Sequence, residues 1–202
     1  MIRRALMSVY DKRGLETLVE ALAIFNVEVV ASSGTAAWLR RAGYGRVIEI
    51  SEYTGFPEAP DGLLKTLHPK IHGGLLLDID NQDHRLYMER QGIKPIDLVV
   101  VNLYPFEEFA SRGGEREAAM GIDIGGPALM RAAAKAALLH GRVAVVVDPS
   151  QYQEVAEELK RHDGDLPRGL KRRLAAEAFG RTSEYDAAIY RYLSGVEAWG
   201  RR

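Results

Sequence analysis

Three runs of aliphatic residues, "VEVVA" (27–31), "IDLVVV" (96–101) and "RVAVVV" (142–147), constrain the fold more than anything else in the 202 residues. None keeps a strict apolar–polar alternation. Each is therefore expected to be buried on both faces, the condition of a strand in a parallel sheet covered by helices. "RALMSVY" and "GRVIEI" read as further strands. Between the strands lie segments of helical period. In "DKRGLETLVEALAIFN" the residues Leu15, Leu18, Val19, Leu22 and Ile24 recur at helical spacing; "SGTAAWLRRAG" stops at Gly43; "NQDHRLYMERQG" and "GPALMRAAAKAALL" follow. This alternation predicts an α/β fold, a three-layer α/β/α sandwich with a mostly parallel sheet. From Pro149 on the pattern is helical, which divides one domain (1–202) into an α/β core (1–148) and a helical C-terminal extension (149–202). That extension is expected at the edge of the sheet or at an interface. Residues 51–74, punctuated by Gly55, Pro57, Pro60, Gly62 and Pro69, read as a loop-rich stretch.

Composition mainly excludes. A formal net charge of −1 gives no global attraction to nucleic acid or an anionic membrane. The absence of cysteine removes disulfides, thiolate metal sites and a cysteine nucleophile, and suits a reducing compartment. No apolar stretch approaches the length of a membrane span or a signal peptide. A cytoplasmic protein is the expectation.

In parallel α/β sheets ligands bind at the carboxyl ends of the strands. The first strand ends in "SVYDKRG", where Asp11 either caps a helix or joins Lys12 at a ligand. The second ends in "ASSGTA": Ser32, Ser33, Gly34 and Thr35 offer hydroxyls and free main-chain N–H groups at a helix start, a suitable cradle for an anion that Lys12 could reach. In "GLLKTLHPKIHGG" His68 and His72 stand four apart, but Pro69 biases His68 away from helical geometry and Gly73–Gly74 follow at once. A loop with locally bonded histidines is preferred there to a metal site, and no metal is expected. Lys65, among apolar neighbours, is the more interesting charge. "VVVNLYPF" places Asn102 and Tyr104 at a strand end. In "GIDIGGPALMRAAAK" Asp123 precedes Gly125–Gly126, whose lack of side chains allows close approach to a ligand. Arg131 and Lys135 share a helix face. An aspartate near a lysine could form a proton relay; a capped helix with a solvated basic face is the plainer alternative.

Taken in order, "SVYDKRGL", "ASSGTA", "SEYTGFPEAPDGLLKTLHPKIHGGLL", "VVVNLYPFE", "IDIGGPALMRAAAK" and "VAVVVDPSQY" resemble the IMP cyclohydrolase domain of bifunctional purine-biosynthesis proteins, over residues 4 to 193. The resemblance implies a methylglyoxal synthase-like sandwich and the closure of 5-formamidoimidazole-4-carboxamide ribotide (FAICAR) to IMP with loss of water, without metal or organic cofactor. It implies Lys65, Tyr104, Asp123 and Lys135 as catalytic residues. Lys65 would stabilise charge on a carbonyl oxygen and Tyr104 would hydrogen-bond the formyl oxygen or a developing oxyanion, or the two would exchange these roles, and Asp123 with Lys135 would relay protons. It implies Tyr10, Asp11, Lys12, Ser32, Ser33, Gly34, Thr35, Leu64, Thr66, Val101, Asn102, Ile124, Gly125 and Gly126 as the nucleotide-binding positions. A homodimer is expected through the C-terminal helices. Members of that family continue into a formyl-transferase domain, so a free-standing cyclohydrolase, or a piece of a longer chain, is implied, with a separate AICAR formyl-transferase as a further partner. Two other readings of the same fold are a methylglyoxal synthase-type lyase and a non-catalytic purine-nucleotide sensor.

The chain departs from the family pattern in places. Leu63 stands where the family has arginine beside the substrate, Ser33 where it often has glycine, and Tyr10 where serine is usual. The Asn-His pair that commonly follows the helix lysine is absent after Lys135.

Overall fold

A computed structural model of the chain describes residues 1–111 and 113–195; Arg112 and the last seven residues of the C-terminal extension lie outside it. The strands are β1 (Arg4–Ser8), β2 (Glu28–Ala31), β3 (Val47–Glu49), β4 (Leu98–Val101) and β5 (Ala144–Val146). They form one sheet in the order β3-β2-β1-β4-β5, with every pairing parallel. The sheet is thus wholly rather than mostly parallel among the described residues.

The helices are α1 (Leu15–Ile24), α2 (Ser33–Arg41), α3 (Ile50–Thr54), α4 (Pro69–Leu76), α5 (Gln82–Gln91), α6 (Phe106–Ala110), α7 (Glu115–Met120), α8 (Gly125–Leu139), α9 (Tyr152–Arg161) and α10 (Arg168–Ser194). Strand side chains sort by parity, as the pleat requires. Ala5, Met7, Val29, Ala31, Leu98 and Val100 join α1, α2 and α9 in one core. Leu6, Val30, Val99 and Val101 join α4 and α8 in the other. The C-terminal helices belong to these layers. Helix α9 contributes Val155 and Leu159 to the first core. Helix α10 gives Leu170 and Leu174 to the first core but Ala175, Ala178 and Tyr185 to the second. One helix therefore crosses the edge of the sheet beside β5.

The loop-rich segment keeps 55–68 outside any α-helix, but its ends are helical, in α3 and α4. His68 is extended, and α4 starts at Pro69. Proline at a first helical position lacks only an N–H that would have no helical partner. The Nδ1 of His68 accepts from the Lys70 N–H at 3.1 Å and caps the helix. Gly73 and Gly74 do not end it: a Cβ on Gly74 would lie 2.6 Å from the Lys94 carbonyl oxygen, so glycine there permits close packing. A proline and a glycine pair read as breakers only while the backbone that approaches them is out of view.

Candidate active site

The reversal of strand order lies between β1 and β4, whose carboxyl ends carry "VYDK" and "NLYPF". Asn102 joins the two loops. Its Oδ1 accepts from the N–H groups of Tyr10 (2.6 Å) and Asp11 (3.0 Å), and its Nδ2 donates to the Asp11 carbonyl (2.7 Å). The rings of Tyr10 and Tyr104 then meet edge to face, centroids 5.0 Å apart. The Asp11 carboxylate turns away to Arg13, whose guanidinium holds it below the usual carboxylate range.

Thr35 secures the β1 end from the other side. Its Oγ1 accepts from the Val9 N–H at 3.0 Å and from the Ser32 hydroxyl at 3.1 Å. Lys12 donates to the Val9 carbonyl at 2.8 Å, and burial, then the charges of Arg41 and Lys65, lower its pKa. The Ser33 hydroxyl donates to Glu58 at 2.5 Å. Gly34 lies at the start of α2.

A cavity of about 260 Å³ opens between this helix start and the 54–68 segment. Ser32, Ser33, Leu64 and Lys65 line it, with Phe56, Pro57, Glu58, Ala59, Leu63 and His68. The first four are expected site residues. The Phe56–Ala59 wall is not among the expected positions, although "GFPEAP" carries the Gly and Pro punctuation of a binding loop. Leu64 has φ +67°, a strained conformation for a leucine, and is exposed.

Lys65 stands between this cavity and a second group of residues. Its Nζ lies 5.9 Å from the centre of the Tyr104 ring, and its charge acts on the Asp123 carboxyl. Burial raises the pKa of Asp123, opposed by hydrogen bonds from the Gly126 and Tyr104 amides and by the Lys65 charge. Asp123 Oδ1 accepts from the Gly126 N–H at 2.8 Å and so anchors the start of α8. The glycine pair is a steric need: a Cβ on Gly125 would meet Thr66 Oγ1 at 2.3 Å, and one on Gly126 would meet Asp123 Oδ2 at 2.6 Å. Thr66 is buried; Ile124 is exposed at the helix start; the Val101 side chain packs in the core, which leaves only its main chain for a ligand.

Lys135 is elsewhere. Nine residues of α8 separate it from Gly126, roughly 14 Å of helix. It is exposed beside Arg131 on a groove formed with Leu76, Leu138, Leu139 and Phe179. The expected Asp123–Lys135 relay is not formed within one chain, because a straight helix holds its two ends apart.

Comparisons with known proteins place the chain in a family. A family model described as an MGS-like domain matches residues 14–128, and one described as AICARFT/IMPCHase bienzyme matches residues 133–201. The chain is 52% identical over 194 residues to the bifunctional purine biosynthesis protein PurH of Chelativorans sp., covering 96% of this chain and 35% of that protein. Its identity to PurH of Magnetococcus marinus is 48% over 202 residues, 99% of this chain and 37% of the relative. The chain thus spans about a third of the length of these relatives. A solved structure titled "Crystal structure of ForH" superposes with a TM-score of 0.81 at 31% identity, covering 96% of this chain and 98% of that one.

Proposed function

The chain belongs to the MGS-like domain family, and from that premise we propose that it is an IMP cyclohydrolase, closing FAICAR to IMP. The observation that carries the reading is the convergence of Lys65, Tyr104 and Asp123 at the strand-order reversal, beside a cavity with a hydroxyl-lined helix start. Its likeness to PurH over almost the whole chain supports it further and disfavours the lyase and sensor readings.

The reaction needs little beyond placement and proton movement. The carboxamide nitrogen is a weak nucleophile, since its lone pair is delocalised into the carbonyl. A site that holds it against the formyl carbon removes much of the barrier. A new C–N bond forms, the formyl oxygen takes a proton and becomes a hydroxyl, and the nitrogen loses one. That hydroxyl then leaves as water with the proton of the former formamido nitrogen, and the C=N bond that forms completes the purine. Asp123, whose pKa burial raises, is a stronger base than an ordinary carboxylate and is suited to take the amide proton. The Tyr104 hydroxyl and Lys65 ammonium are suited to stabilise oxygen as it gains charge. Lys12 and the Ser32–Thr35 turn would receive the nucleotide phosphate. None of these steps calls for a metal or organic cofactor.

Lys135 fits the scheme only from a second chain. In the homodimer we infer, the groove of Leu76, Leu138, Leu139 and Phe179 is covered and Lys135 is carried toward the neighbour's Asp123. No helix among the described residues is long and apolar enough to cross a membrane. A cytoplasmic location belongs to the same proposal, as does a separate AICAR formyl-transferase to supply the substrate.

The test is absorbance as the purine ring forms from FAICAR, for wild type, Lys65→Ala and Lys135→Ala. Conversion by the wild type, lost in both variants, is expected; no conversion above the spontaneous rate, with IMP still bound, would leave the sensor reading in its place. Mixing the two inactive variants is expected to restore part of the activity through hybrid dimers. No restoration would place Lys135 outside the reaction or within its own chain's site.

A further inference from the structure

Tyr185 lies on α10, 62 residues from Asp123, and no part of the scheme above uses it. It is 9% exposed. Its hydroxyl donates to the Gly121 carbonyl at 2.9 Å and accepts from the Asp123 N–H at 2.8 Å. One phenol oxygen thus satisfies both ends of the 121–123 turn. The ring is held in turn by Phe106, edge to face at 6.4 Å, and Phe106 follows the Tyr104–Pro105 pair directly. The same side chain therefore touches the two segments that carry Tyr104 and Asp123.

We propose that Tyr185 is a positioning residue for the cyclisation: its hydroxyl fixes the Asp123 turn, and with it the place and proton affinity of the Asp123 carboxyl. The proposal rests on the cyclohydrolase reading only for its kinetic consequence. The physical argument is independent of it. Without the hydroxyl, two main-chain groups lose their partner in a part-buried place, and the turn can recover hydrogen bonds only by moving or admitting water. Either change displaces the carboxyl, and about 1 Å of misplacement can cost about 100-fold in rate.

Among the described residues, Lys65 from the 54–68 segment, Tyr104 after β4 and Tyr185 on α10 act on Asp123 or are acted on by it, and Asp186 acts on Tyr185. Burial raises the pKa of both Asp123 and Tyr185, so water admitted to the turn would bring Asp123 back toward the ordinary carboxylate value.

The experiment is a carbon-13 titration of the aspartate carboxyls, with Asp123 assigned by its loss in Asp123→Asn, for wild type, Tyr185→Phe and Thr182→Val. Thr182 sits on the same helix, is more deeply buried, and donates to the Phe179 carbonyl of its own helix, so its variant controls for a general loosening of α10. The Asp123 midpoint is expected to fall in Tyr185→Phe alone. With FAICAR, kcat is expected to fall about 10- to 100-fold, KM to stay nearly constant, and the acid limb of the rate profile to move with the midpoint. An unchanged midpoint, or an equal shift in Thr182→Val, would overturn the proposal. If the midpoint falls in Tyr185→Phe but the wild type shows no cyclisation, the functional reading fails and the positioning stands. Should Tyr185→Phe not fold, hydrogen exchange in the wild type decides. The Asp123 amide is expected to be as protected as the core amides of α10, and exchange at the rate of an open loop would refute the bond.

Discussion

The Lys65 ammonium lies over the Tyr104 ring, 5.9 Å from its centroid, and the two belong to segments far apart in sequence that meet beside the reversal of strand order. A cation over a ring can be held by the ring alone. In the proposed reaction the hydroxyl of Tyr104 would serve the substrate.

Tyr104→Phe keeps the ring and loses only that hydroxyl. Its kcat for FAICAR is expected to drop about 100-fold, the cost typical of one lost donor to a developing oxyanion, with KM close to wild type. Steady-state kinetics check this; a rise in KM at constant kcat would assign the hydroxyl to ground-state binding instead.

Leu63 is 65% exposed at the rim of the cavity and carries no charge to a phosphate. Leu63→Arg is expected to bind IMP about tenfold tighter, the order of one charge-assisted hydrogen bond. The gain should shrink with added salt. Calorimetry at two salt concentrations reads both.

Asp123 is costly to fold as an anion, because burial raises its pKa above 3.8. Its contribution to stability is full below that value and is lost as pH rises through the raised value. Asp123→Asn can keep the Gly126 bond through Oδ1 without that charge. It is expected to melt higher than wild type near pH 7, to lose the difference below pH 3.8, and to be at least about 100-fold slower. Melting curves across pH, with the FAICAR assay, test the pair of effects.

His68, His72 and His140 all have pKa values lowered by burial from 6.5. The unfolded chain takes up their protons first as pH falls, so the stability they contribute is present above pH 6.5 and lost as pH falls through their folded values. The melting temperature is expected to decline as pH drops below 6.5. His72→Gln, which removes a ring whose Nε2 is buried without a partner among the described residues, should flatten that slope. An equal slope in the variant would show that other groups dominate.

Much of this could be read from residue order. The aliphatic runs at 27–31, 96–101 and 142–147 suit buried parallel strands better than any other environment, and the strand ends then point to Lys12, Ser32, Asn102 and Tyr104. What escaped had its cause in three dimensions. Gly74 looks like a helix stop until Lys94 is seen against it. Tyr185 lies in a helical tail with no local sign that its hydroxyl reaches a turn 62 residues away. Lys135 and Asp123 sit close enough in sequence to suggest a pair, yet the rigidity of α8 keeps them apart.

The placement of β1 has a consequence for how the molecule is made. β1 pairs with β2 early in the chain, but its other neighbour, β4, begins only at Leu98. During synthesis the first half-sheet can form while the inner edge of β1 waits, unpaired, until Leu98 and the residues after it emerge. Long-range closures of this kind are slow and leave strand edges open to wrong partners. Tyr10 and Tyr104 meet across that same seam, so the site proposed above is completed at the moment the exposed edge is sealed. A nascent chain stalled before Leu98 would be both inactive and adhesive.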